Sequence, residues 1–143
     1  MFLYSDPIGK IRRNPADPLV PVQILKVTSP KWVGFSPESR FVAVENADKF
    51  AVYDAETDRG YVYATDRPLD KPQTHSAWID DFRLTYVSGG KVAVFDFDGT
   101  NLNELLPADP NYLPFFDHEQ RYLYGIGPKK ALIRAPLFTP QDL

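Results

Sequence analysis

Three times along the chain a large aromatic residue is followed five positions later by an arginine that opens an apolar run. The aromatics are Phe35, Trp78 and Phe116, and the arginines are Arg40, Arg83 and Arg121, separated by 43 and 38 residues. Each interval holds turn chemistry: Pro37-Glu38-Ser39, Asp80-Asp81-Phe82 and His118-Glu119-Gln120. A strand follows each arginine, as Phe41-Val42-Ala43-Val44, Leu84-Thr85-Tyr86-Val87 and Tyr122-Leu123-Tyr124. Third strands come next in Phe50-Ala51-Val52-Tyr53, Val92-Ala93-Val94-Phe95 and Ala131-Leu132-Ile133. Phe41 to Val44 and Phe50 to Tyr53 are apolar at successive positions, so their sheet is covered on both faces.

A period of about 40 residues with about four short strands per repeat describes small sheets that stack because none can bury its faces alone. The expected fold is all-β and propeller-like, with about three and a half four-stranded antiparallel blades in an incomplete ring. One domain spans 1–143, with N-terminal strands or a partial blade over 1–30, blades over 31–70 and 71–109, and a last blade over 110–143. In the first full repeat, Glu45-Asn46-Ala47-Asp48 reads as a polar turn, and Ala55 to Gly60 turns the chain into a fourth strand at Tyr61-Val62-Tyr63-Ala64. Ahead of the repeats, Phe2-Leu3-Tyr4-Ser5 reads as a strand ending in turn residues Asp6-Pro7-Ile8-Gly9. The prolines of Asn14-Pro15-Ala16-Asp17-Pro18 make a rigid connector, and Pro21 marks Val20 to Val27 as an edge strand. A strand at residue 2 implies a domain cut from something longer, or a first strand that completes a sheet made elsewhere.

At 143 residues the chain can stand on a core, burying about two thirds of its unfolded surface. Cysteine is absent, so there is neither a disulfide framework nor a thiolate metal site, and the composition suits either redox compartment. With a net charge of -3 and mixed signs throughout, there is no basic face for nucleic acid, and Lys10-Ile11-Arg12-Arg13 reads as a solvated turn. No run approaches the roughly 18 apolar residues of a membrane span, and no signal peptide opens the chain. A membrane link would run through an upstream anchor.

Val92-Ala93-Val94-Phe95-Asp96-Phe97-Asp98-Gly99-Thr100 resembles the first motif of haloacid-dehalogenase-like phosphatases. That resemblance would make Asp96 the nucleophile and Asp98 the general acid/base beside Mg²⁺. The context opposes it: only 43 residues follow Thr100, and Pro107 stops any helix starting at Asn101. Asp98-Gly99 reads instead as a hairpin turn. Asp96 and Asp98 are also the candidates for a metal such as Ca²⁺, although Gly99 falls at the fourth position rather than the sixth of a calcium loop. His75 and His118 have no zinc spacing. No cofactor is implied.

Trp32-Val33-Gly34-Phe35-Ser36-Pro37, Phe50-Ala51-Val52-Tyr53-Asp54, Leu84 to Lys91 and Phe95 to Asn101 resemble the WD-like repeats of TolB-type β-propellers. More narrowly, they are similar to the propeller-like region of PEGA-domain proteins of small-genome bacteria. The general resemblance covers Trp32 to about Pro136. It implies a non-enzymatic module on the extracytoplasmic side of a bacterial envelope and offers no catalytic residues to carry over. Closed propellers have about four to eight blades, so this chain falls short in number.

The expected function is a protein-interaction or structural module, with a protein partner or self-association as its contact. Trp32, Trp78, Phe115 and Phe116 are the candidate interaction surface, inter-blade packing being their commoner use. Two alternatives stand beside it. One is a carbohydrate-binding or hydrolytic propeller with Asp80, Asp81, Asp96 and Asp117 in a central funnel. The other is a domain that completes its ring by oligomerisation.

Overall fold

Continuous apolar strands need cover on two sides, and this chain supplies it by stacking one small sheet on the next. The computed structural model describes residues 1–4, 7–70, 75–117, 119 and 121–136. Their strands form four antiparallel sheets and no closed barrel. The first sheet pairs β1 (Phe2–Leu3) with β2 (Gln23–Ile24). The second runs in chain order through β3 (Trp32–Phe35), β4 (Phe41–Asn46), β5 (Lys49–Asp54) and β6 (Arg59–Ala64). The third repeats that meander in β7 (Ala77–Trp78), β8 (Arg83–Ser88), β9 (Lys91–Asp96) and β10 (Asn103–Pro107). The fourth has three strands, β11 (Phe115–Phe116), β12 (Tyr122–Ile126) and β13 (Leu132–Pro136).

Strand alternation sends successive side chains to opposite layers. Val42, Val44 and Ala51 face the first sheet and pack with Leu25, Met1 and Leu3. Phe41, Ala43, Phe50 and Val52 face the other way, against Leu84, Tyr86, Ala93 and Phe95 of the third sheet. Val87 and Val92 then meet Leu123 and Phe116 of the fourth. Phe41, Phe50 and Phe95 are fully buried, and burial of each contributes about 1.5–3 kcal/mol. Phe50 stacks on Tyr63 and meets Phe95 edge-on, both at 5.3 Å.

Cross-strand register tests the repeat residue by residue. Phe35 pairs with Val42, Trp78 with Leu84 and Phe116 with Leu123, so the three aromatics are equivalent. Arg40 and Arg121 keep the same register, but Arg83 does not. Phe41 pairs with Asp54 and Arg83 with Asp96, which makes Arg83 the counterpart of Phe41 and leaves Phe82 opposite Arg40. The cause is a turn one residue shorter: the Ser36 amide bonds the Phe41 carbonyl, whereas the Ile79 amide bonds that of Arg83. A one-residue shift moves a side chain to the other face.

Three local expectations are corrected. Pro7–Arg13, read as turns, is a helix, α1; proline suits a first helical turn, where its missing N–H has no partner, and Lys10, Arg12 and Arg13 suit the last. The edge strand from Val20 is shorter than expected, β2 covering Gln23–Ile24 with backbone hydrogen bonds from Val22 and Leu25 on either side. Glu45 and Asn46 belong to β4 rather than to a turn, and Glu45 is buried, because pairing with β5 continues to Asn46 opposite Lys49. Ser5, Asp6, His118 and Gln120 lie outside the described residues.

Candidate functional site

The turns that lead out of β3, β7 and β11 border a groove of about 630 Å³. Its walls bring together Glu38, Asp80, Asp81 and Asp117 with Trp78, Phe115 and Phe116. Each carboxylate arrives there through turn chemistry. Asp80 Oδ1 accepts the Phe82 and Arg83 amides at 2.8 Å each, and its Oδ2 lies 2.7 Å from Arg83 Nη2. Asp117 Oδ1 accepts the Tyr122 amide at 2.8 Å, the equivalent step in the fourth sheet. Asp81 Oδ1 accepts the Glu38 amide at 2.7 Å and so joins the turn of the second sheet to that of the third. The Glu38 and Asp81 carboxylates have no cation paired with them among the described residues.

The apolar side of the groove is fixed from behind. Trp78 Nε1 donates to the Gly34 carbonyl at 2.9 Å, and its ring stacks on Phe41. Phe115 is exposed and stacks on Tyr124 at 5.3 Å, while Phe116 is half-buried against the layer of Val87 and Leu123. Trp32 lies apart from the groove lining, stacked on His75 at 5.8 Å. Of the expected surface aromatics, three therefore share the groove.

Asp96 also stands apart, in a smaller cleft of about 390 Å³ with Asn101 and Glu104. Its Oδ2 accepts Asn101 Nδ2 at 2.6 Å, and Asp98 Oδ1 accepts the Thr100 amide and hydroxyl. Gly99 takes a φ of 85°, so Asp98-Gly99 is a tight turn on a β-meander. The parallel sheet with crossovers that the phosphatase motif requires does not surround it. Among the described residues no three His, Asp or Glu side chains converge as metal ligands.

Two features escaped sequence reasoning. Asp70 accepts the Gly89 and Gly90 amides at 2.6 and 2.7 Å, pinning the linker after β6 to the β8–β9 hairpin. Burial raises the Glu45 carboxyl, which accepts the Ser76 amide at 3.3 Å beside His75. A signal for Glu45 lay in its place at the end of the apolar run from Phe41; for Asp70 there was none. Ser76 is fully buried, which leaves this cluster without an accessible nucleophile. No family model matches the chain, and no curated protein matches it.

Proposed function

We propose that the chain is a non-enzymatic protein-interaction module, a propeller-like arc whose groove receives an extended, cationic segment of a partner protein. The observation that carries this reading is the groove itself: Glu38 and Asp81, with no cation paired with them among the described residues, stand beside the Phe115 and Trp78 rings. Carboxylates without a cation favour lysine or arginine, and the exposed Phe115 ring favours apolar side chains and cations. The repeating meanders and their face-to-face layers support the propeller-like arrangement. Placement in a bacterial envelope rests on the resemblance of residues 32–136.

A second reading, carbohydrate binding or hydrolysis, draws on the convergence of Asp80, Asp81 and Asp117 in one groove. Against it, Asp80 and Asp117 each hold a turn through backbone amides. Calorimetric titration separates the two. An alternating Val-Lys peptide is expected to bind in a salt-sensitive way, and an alternating Val-Glu peptide not at all. The double variant Glu38→Gln/Asp81→Asn is expected to weaken binding at least tenfold; its Asp81→Asn change removes charge but still offers a side-chain oxygen to the Glu38 amide. Binding of a cello- or chito-oligosaccharide without the Val-Lys peptide would replace this reading with the second.

A further inference from the structure

The two ends of the sheet stack both expose large apolar side chains and face opposite ways. On the fourth sheet, Leu123 points inward to the third, so its alternate neighbours Tyr122, Tyr124 and Ile126 line the outer face with Phe115, Leu132 and Arg134, whose guanidinium covers the Tyr122 ring at 4.5 Å. Register identifies what this face is. Leu132 pairs with Ile126 as Phe50 pairs with Glu45 and Val92 with Val87. Phe50 and Val92 are each 0% exposed under the following sheet, yet Leu132 is 65% exposed. A position that is core in two repeats is therefore surface in the third.

At the other end, Met1, Leu3 and Leu25 of the first sheet point toward the second. The opposite face carries the cross-strand pair Phe2 and Ile24, both exposed. Inside the chain every layer joins the trailing face of one sheet to the leading face of the next. Among the described residues these two faces carry no further sheet and are of opposite sense, so the face of a second copy fits each. Contiguous apolar surface of this kind marks an interaction site in soluble proteins.

We infer that copies of this chain associate head to tail, the Phe115, Tyr124 and Leu132 face of one packing on the Phe2 and Ile24 face of the next. Such a contact is heterologous, and it closes a ring when its rotation permits. The inference rests on sheet stacking and shares only Phe115 with the groove, so failure of peptide binding leaves it intact.

Sedimentation equilibrium on the full chain tests it. The unsubstituted protein is expected at the mass of two or more chains, dependent on concentration. Ile24→Lys and Leu132→Lys each block one face and are expected as single chains. Their equimolar mixture keeps one intact face of each sense and is expected to reach twice the chain mass and no more. Both positions are exposed, and far-UV circular dichroism checks that each variant folds; Phe115→Lys replaces Leu132→Lys if the latter does not. A single-chain mass for the unsubstituted protein at all concentrations would overturn the inference. So would association retained by Ile24→Lys, which would mean that two fourth sheets meet. Association that appears only after removal of residues 137–143 would identify those residues as the cover, with the same result.

Discussion

Trp78 Nε1 lies 2.9 Å from the carbonyl oxygen of Gly34, and this hydrogen bond ties the first strand of the third sheet to the first strand of the second. Trp78→Phe keeps the ring against Phe41 but leaves that carbonyl without its donor. A loss of about 1–2 kcal/mol is expected, measured by urea unfolding. Trp78→Leu adds the loss of the stack on Phe41 and is expected to cost more.

Asp54 makes the chain acid-sensitive. Burial would raise its carboxyl, but hydrogen bonds from the Arg40 guanidinium, the Thr57 hydroxyl and the amides of Glu56 and Thr57 outweigh this and hold it at about 2. A depressed carboxyl stabilises the fold above its unfolded value of about 3.9, and the contribution is lost as pH falls through the folded one. Asp54→Asn is expected to cost on the order of 2 kcal/mol at neutral pH. It should also flatten the stability curve between about pH 4 and 2, read from chemical unfolding across that range.

Leu84 and Leu123 lie in different layers, between the second and third sheets and between the third and fourth. Each Leu→Ala substitution is expected to cost about 2–5 kcal/mol through lost burial and the cavity left behind. The two side chains belong to separate buried clusters, so the double variant is expected to show the sum within about 0.5 kcal/mol. A large departure from additivity would reveal coupling through the shared third sheet.

The Asp96-Phe97-Asp98-Gly99-Thr100 turn is expected to behave as structure. Asp98→Ala removes the acceptor for the Thr100 amide and hydroxyl and should cost about 1 kcal/mol. Added Ca²⁺ or Mg²⁺ is expected to leave the thermal midpoint unchanged, because among the described residues no third ligating side chain converges with Asp96 and Asp98. A cation-dependent rise that Asp98→Ala abolishes would assign a metal site there.

Much of the fold was legible because its signals are local. Short apolar runs over Phe41 to Val44 and Leu84 to Val87, with turn residues between the runs, located β4 and β8 to within two residues. The arginine repeat misled by one position, since turn length, unlike strand pattern, shifts register without changing composition. Helix α1 was missed because Pro7 and Gly9 serve a turn as readily as a first helical turn. For the groove, the aromatics and acids were visible singly, but their convergence depends on how three turns from separate sheets come to lie side by side.

Phe35, Trp78 and Phe116 mark the boundary between the two kinds of information. Their spacing alone announced three equivalent strands, because an aromatic, a turn and an apolar run interact within one hairpin. Their fates differ for a reason outside any hairpin. Trp78 and Phe116 are half-buried because a complete sheet precedes each, while Phe35 is 61% exposed because only the two short strands β1 and β2 precede it. Burial belongs to the layer between sheets, and only stacking decides which layers exist.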